Sequence, residues 1–190
     1  MKLFEIRFHG RGGQGGVTGA KILARAAELE DKFFQAFAHY GAERRGAPVM
    51  AFTRIDNKPI RIHSYIYQPE AIVIFDETLL EIPSIQDGLR EDTFVVVNTP
   101  RAPKDIKLKV KAKVSTVDAT KIALDAGIVV AGIPVVNTIM LGAVARATNI
   151  VKIENVKQAI QKGLAGLPDK VIKTNVEAAQ RAYDALVKGY

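Results

Sequence analysis

The chain contains no cysteine. Disulfides, a thiolate zinc site and iron–sulfur ligation are therefore excluded for this polypeptide by itself. Any cluster it works with belongs to another chain. It has no apolar run long enough to span a membrane. It lacks the Gly-Lys-Ser/Thr that would follow the glycines of a P-loop. His9, His39 and His63 do not form a metal motif, and no carboxylate pair has a clear catalytic spacing, so no metal site is expected. Internal repeats and low-complexity linkers are also missing.

What remains is the composition of an ordinary globular chain, with 190 residues, 48% hydrophobic and 25% charged. That length suits one domain spanning residues 1–190. The formal net charge of +7 suits phosphates, nucleic acids or acidic proteins. A solvated lysine-rich surface is the plainer account of the same charge. "MKLFEIRFHG" alternates apolar with charged residues, the pattern of a strand and not of a signal peptide. A cytoplasmic location is the expectation.

"LFEIRFHG" predicts a first strand and "GVTGAKILARAAELE" a helix directly after it, with Ala20, Leu23, Ala24 and Ala27 on its apolar face. "KFFQAFAHYG" predicts a second strand. "PVMAFTRI" and "KPIRIHS" around "DNK" predict a hairpin at the sheet edge, within residues 47–64. "AIVIFD", "DTFVVVN" and "AKVSTVDAT" are further strands. "VVNTIMLGAVARA" and "IENVKQAIQKGL" are helices. Thr174 with Glu177 predicts a capping box for a last helix, striped by Val176, Ala179, Tyr183 and Leu186. The alternation predicts an α/β fold, a mostly parallel sheet with helices on both faces and an added hairpin.

"FHGRGGQGGVTG" places six glycines in twelve positions. Gly10, Gly12 and Gly15 match G-x-G-x-x-G, with a strand before and a helix after. Such a loop cradles phosphate, because the backbone approaches closely and the helix N-terminus offers N–H groups. A tight turn without a ligand is the alternative, but six glycines exceed what a turn needs. The candidate ligand-binding set is Gly10, Arg11, Gly12, Gly13, Gln14, Gly15, Gly16 and Thr18. Arg11 suits a phosphate or carboxylate, or a salt bridge to a neighbouring carboxylate. Gln14 suits a polar head group, or a hydrogen bond that holds the turn. A dinucleotide site wants an acidic residue at the end of the second strand. His39 and Tyr40 stand there instead, although Arg44 and Arg45 would suit a 2′-phosphate.

"HYGAERRGAP" holds Arg44 and Arg45 between glycines and a proline, a loop suited to an anion, a partner or plain solvent. Asp76 closes the "AIVIFD" strand, where ligands approach open sheets, and would equally cap the next turn. Asn137 either orients its helix or lines the site.

Four segments together resemble a known family: "FHGRGGQGGVTGAKILARAA", "HYGAERRGAPVMAFTRI", "YQPEAIVIFDETLLE" and "GIPVVNTIMLGAVAR". They look like the gamma subunit of the pyruvate/2-oxoacid:ferredoxin oxidoreductases, over nearly the whole chain. One departure is Arg45-Gly46-Ala47, where the family often shows Arg-Gly-Gly. The resemblance implies a Rossmann-like three-layer domain that helps to form a coenzyme A site. It implies thiamine diphosphate and iron–sulfur clusters on partner alpha, beta and delta subunits, with ferredoxin as acceptor. It places Tyr40, Arg44, Arg45 and Asn137 at a subunit contact or the edge of the active site. "VVNTIMLGAVA" and the edges around Tyr40 to Met50 are rich in apolar residues, which predicts surface that partners cover. A stand-alone NADP-dependent oxidoreductase is the second reading. A nucleic-acid module ranks last, because aromatic interleaving and a known motif are both missing.

Overall fold

Alternation in the first strand becomes two different faces. Strand β1 (Phe4–Arg11) turns Ile6 and Phe8 into the main apolar core and Arg7 toward the opposite face, where it bonds the carbonyls of Ile85 and Asp87. The computed structural model describes residues 2–39 and 46–190. Helix α1 (Gly16–Glu28) follows β1 and buries Ala20, Leu23, Ala24 and Ala27, while Lys21, Arg25 and Glu28 stay in solvent. Then come β2 (Phe33–His39), β3 (Pro48–Asp56), β4 (Ala71–Ile74), β5 (Phe94–Asn98) and β6 (Lys113–Val117). Helix α2 (Ala119–Ala126), the small hairpin β7 (Val129–Val130) and β8 (Ile133–Pro134), and helices α3 (Asn137–Thr148), α4 (Ile153–Gly163) and α5 (Asp169–Ala185) complete the order, with β9 (Val187–Lys188) last.

The seven-stranded sheet runs β2-β3-β1-β4-β5-β6-β9. β1, β4, β5 and β6 pair in parallel, β3 lies antiparallel between β1 and β2, and β9 is antiparallel at the far edge. This is the expected α/β sheet, but its two faces differ. Helices α1 to α5 gather with Ile6, Phe8, Ala71, Val73 and Val96 on one face. Ile72, Ile74, Val95 and Val97 point the other way, onto Leu79, Ile85, Leu89 and Ile106. That third layer is built from short 3-10 turns at Glu77–Glu81, Pro83–Gln86 and Pro103–Asp105, not from the helices that alternation predicts.

The predicted hairpin of residues 47–64 is corrected. "PVMAFTRI" is β3, but residues 58–64 form no strand. Pro59 removes a ladder donor. The buried Arg54 takes the carbonyls instead, donating to Ile62 O (3.2 Å) and Ser64 O (2.7 Å), while Gln35 donates to Ile60 O (3.2 Å). The segment therefore crosses the sheet face, and the antiparallel addition to the sheet is β2 with β3.

Two helix boundaries also differ. α5 begins at Asp169, after Pro168, so Thr174 lies inside it and donates its hydroxyl to Lys170 O (2.8 Å). "VDAT" ends a strand and starts α2, capped by Asp118 accepting from the Lys121 N–H (2.8 Å). The apolar sequence of α3 is buried almost throughout, so it is core and not partner surface. The larger exposed apolar residues include Val129 and Val130 on the small hairpin and Phe33 and Phe34 on β2.

α3 reaches α5 at Gly142, where a Cβ would stand 1.8 Å from the Ala179 carbonyl oxygen. Alanine favours a helix by about 1 kcal/mol over glycine. The backbone clash outweighs that gain. Gly142→Ala is expected to lower the unfolding free energy by about 2–3 kcal/mol in urea titration. Ala179→Gly should not rescue it, because the obstruction is a main-chain oxygen.

Candidate functional site

β1, β4, β5 and β6 all end on the same side, and the conspicuous polar residues collect there. From the end of β1 the chain turns to the helix face as α1. From the end of β4 it turns to the opposite face, where Leu79 packs. A crevice between diverging connections is where open α/β sheets bind ligands.

The glycine loop forms one wall. Gly12 donates its N–H to Ala47 O (2.8 Å) and accepts from the Gly46 N–H (3.2 Å), which carries the β1–β3 pairing past the strand ends. Gly13 has φ +98° and Gly15 φ +76°, conformations that suit glycine. The glycines divide by task. A Cβ on Gly15 would stand 2.3 Å from Asn137 Nδ2, and one on Gly10 would crowd Phe75 at 3.2 Å. Gly15 is held to glycine by its positive φ and by Asn137, while at Gly10 the Phe75 and Gln14 side chains would have to give by a few tenths of an ångström. At Gly13 and Gly16 a Cβ would meet nothing within 4 Å. Above them the backbone is open.

Arg11 is anchored within the protein. Its Nε donates to Asp76 Oδ2 (2.5 Å), one terminal nitrogen to Thr78 Oγ1 (2.7 Å) and the other to Gly46 O (3.3 Å). Gln14 Oε1 accepts from the Arg11 N–H (2.7 Å), the turn-holding bond foreseen for it. Asp76 caps the following turn, as one of its two readings had it, its Oδ1 accepting from Thr78 N (3.0 Å) and Oγ1 (2.7 Å), and it is also the neighbouring carboxylate that the salt-bridge reading of Arg11 required. Burial opposes the Asp76 carboxylate, but the hydrogen bonds from Thr78 and Arg11 together outweigh it and hold its pKa below the ordinary value.

Asn137 lies at the start of α3, and its Nδ2 reaches Gly15 O (3.4 Å) while its Oδ1 accepts from the Thr138 N–H (2.7 Å). It thus joins two helix N-termini, α1 and α3. Thr18 is exposed on the first turn of α1. Tyr40, Arg44 and Arg45 lie outside the described residues.

Sequence reasoning missed the next strand end. Asn98 donates to Phe75 O (2.9 Å) and accepts from the Thr120 N–H (3.1 Å), tying β4, β5 and α2 together. Thr99 donates to Glu77 Oε2 (2.6 Å). Beside them Glu77, Thr78, Glu81, Arg101 and Lys107 line a cleft of about 260 Å³. The available signal was "VNTP", polar residues at the end of a wholly apolar strand.

Beneath the loop, His9 is buried and its Nε2 has no hydrogen-bond partner among the described residues. Burial, helped by the positive Arg7, lowers its pKa from 6.5 to about 3. The imidazole is therefore neutral in the folded protein. Between pH 6.5 and about 3 the unfolded chain binds a proton that the folded chain does not, so stability falls as the pH is lowered through that window. His9 should cost up to about 1.4 kcal/mol per pH unit there. Urea unfolding at pH 7, 6 and 5 should show that His9→Leu loses stability more slowly on acidification than the parent; parallel curves would contradict a neutral buried His9.

Residues 5–185 match the pyruvate ferredoxin/flavodoxin oxidoreductase family. The pyruvate/ketoisovalerate oxidoreductases common subunit gamma of Thermococcus litoralis is 52% identical over 188 residues, covering 97% of this chain and 98% of that protein. The crystal structure of pyruvate oxidoreductase subunit PORC from Thermotoga maritima superposes with a TM-score of 0.86 at 39% identity, each chain fully covered. A 2-oxoglutarate:ferredoxin oxidoreductase from Magnetococcus marinus, with 2-oxoglutarate, coenzyme A and succinyl-CoA bound, shares the fold at 18% identity and TM-score 0.76. There the match covers 97% of this chain and 31% of the longer one.

Proposed function

The chain belongs to the pyruvate ferredoxin/flavodoxin oxidoreductase family and is a gamma-type subunit of a 2-oxoacid:ferredoxin oxidoreductase, and from that premise we propose that its glycine loop holds a polar part of coenzyme A. The open backbone at Gly13 and Gly16 is the observation that carries this reading. The first turn of α1 adds to it: it carries no acidic residue and no side-chain cap, so its N–H groups are left for an anion.

In this reading the open backbone at Gly13 and Gly16, with Thr18, meets the ligand, and Gly12 holds the loop to residues 46 and 47. Gly10, Gly15 and Asn137 give the loop its shape. Arg11 and Gln14 hold the loop in place, since their recorded bonds run to Asp76, Thr78, Gly46 and the loop itself. Arg11 is thus a positioning residue whose charge is largely balanced by Asp76. Coenzyme A supplies the thiol that accepts the acyl group. The chain works as one domain within an assembly of alpha, beta and delta subunits in the cytoplasm, the partners carrying thiamine diphosphate and the clusters and passing electrons to ferredoxin. In this reading Tyr40, Arg44 and Arg45 serve contact with those subunits or the active site, and the apolar Val129–Val130 hairpin is offered to the subunits as well. Nothing in the described residues groups His, Asp or Glu into a metal site.

Gly16→Val separates binding from folding, because the added side chain enters open space at the start of α1. In the assembled complex it should raise the KM for coenzyme A roughly ten- to a hundredfold, a loss of about 1.4–2.7 kcal/mol. Cluster reduction driven by the 2-oxoacid without coenzyme A should be unaffected, and so should thermal stability. Gly13→Val should be worse, since it also strains a positive φ. Arg11→Ala should raise the same KM, with partial rescue by Arg11→Lys. An unchanged coenzyme A dependence in all of these would make the loop a structural turn. The purified chain alone should give no dye reduction with pyruvate and coenzyme A; robust turnover without other subunits would overturn the subunit assignment.

A further inference from the structure

The positive charge of this chain is concentrated. From Arg101 to Lys113, six cations stand against one carboxylate, Asp105, so thirteen residues carry a net +5 of the total +7. Lys107, Lys109, Lys111 and Lys113 occupy every second position, with Leu108, Val110 and Ala112 between them. Lys107, Lys109 and Lys111 are exposed, while Leu108 and Ala112 pack against the lower core.

With Lys104, Pro103 and Gly189 this stretch lines an open groove of about 740 Å³, with an apolar floor and a lysine rim. Among the described residues, Asp87 beside Lys109 (3.6 Å) is the one carboxylate within salt-bridge range of Lys104, Lys107, Lys109 or Lys111. β9 covers the outer edge of β6 only at Ser115 and Thr116, with one further bond from Gly189 N–H to Val114 O (2.9 Å).

We propose that this groove is a docking site for an acidic, extended polypeptide segment of a partner protein in the assembly. Carboxylates of the incoming segment meet the exposed lysines of the rim, and its apolar side chains fall on the floor, the core-and-rim arrangement of a protein interface. No aromatic residue lines the groove, which removes the stacking platform that a single-stranded nucleic acid would use. The site lies outside the glycine loop, so the coenzyme A experiments and this one succeed or fail separately.

The test uses the full chain and a fluorescent eight-residue peptide of alternating Glu and Val, with duplex DNA and phosphatidylserine vesicles as rival probes. The peptide should bind in low salt and weaken at least tenfold by about 0.3 M NaCl. The Lys107→Glu, Lys109→Glu, Lys111→Glu triple variant should lose binding at least tenfold. The triple Gln variant, which avoids reversed charge if the first misfolds, should fall between. Lys170→Glu with Lys173→Glu on α5 should bind like the parent. In the co-expressed complex, the Lys-to-Glu triple should reduce recovery of the other subunits on the tagged chain. Peptide binding that ignores all three lysines would overturn the proposal. So would lysine-dependent binding to DNA or vesicles tighter than to the peptide, with recovery of the subunits unchanged.

Discussion

The parallel pairing of β1 with β4 is the constraint on which the site depends. Ile6, Arg7, Phe8 and His9 stand opposite Ala71 to Ile74, and just beyond them the two chains leave to opposite faces. That divergence makes the crevice. It also leaves the glycine loop without a neighbouring strand on one side, so the loop must be held by side chains. Arg11 does this by bonding Asp76 and Thr78 beyond β4 and Gly46 before β3, which ties three segments to one guanidinium. Asn137 fixes the loop from the helix layer. The loop is firm where it is shaped by packing and open where a ligand can come.

The face of the sheet opposite the helices follows a different logic. Ordinary cores avoid charge, yet Arg7 and Arg54 are buried here. Each answers the cost by bonding backbone carbonyls of the chain that crosses above it, Arg7 to Ile85 and Asp87, Arg54 to Ile62 and Ser64. Arg54 also meets Glu5 (2.7 Å), and its guanidinium lies over the Phe37 ring at 5.1 Å. The carbonyls of a helix interior are used by its own ladder, whereas irregular chain leaves more of them free, which suits the 3-10 turns and extended segments of this layer.

Much of this was legible in the sequence where one physical signal acted alone. Alternation marked β1, and an apolar run marked β4 and β5. Three-and-four spacing marked α1 and α4. The glycines announced the loop, and Asp76 caps the turn after its strand, one of the two roles its position suggested. The failures have a common source, namely side chains that bond distant backbone. "KPIRIHS" has strand chemistry, but Arg54, far from obvious as a buried residue, captures its carbonyls. Thr174 and Glu177 have the spacing of a cap, but Pro168 and Asp169 start the helix earlier. The role of Asn98 depends on Phe75 and Thr120 meeting in space, which no local pattern encodes. The family resemblance carried the reading from a phosphate-type loop to coenzyme A; glycine spacing alone did not reach that far.

The two proposed anion-seeking surfaces would operate by different physics. Within the glycine loop Arg11 is paired with Asp76, so in the proposed reading the loop's own attraction for an anion comes from fixed N–H groups and the end of the α1 dipole. Such donors act at contact distance and set geometry. β6 stands three strand spacings from β1, about 14 Å across the sheet. Beside it Lys104, Lys107, Lys109 and Lys111 are long and exposed, and among the described residues Asp87 alone lies within salt-bridge range of them, beside Lys109. Their field reaches out to about the Debye length of 8–10 Å at moderate salt and sets no fixed geometry. A strong net charge at the loop itself would draw in anions of any shape. In the proposed reading, the pairing of Arg11 with Asp76 lets the loop select by shape, while the lysine groove selects by charge.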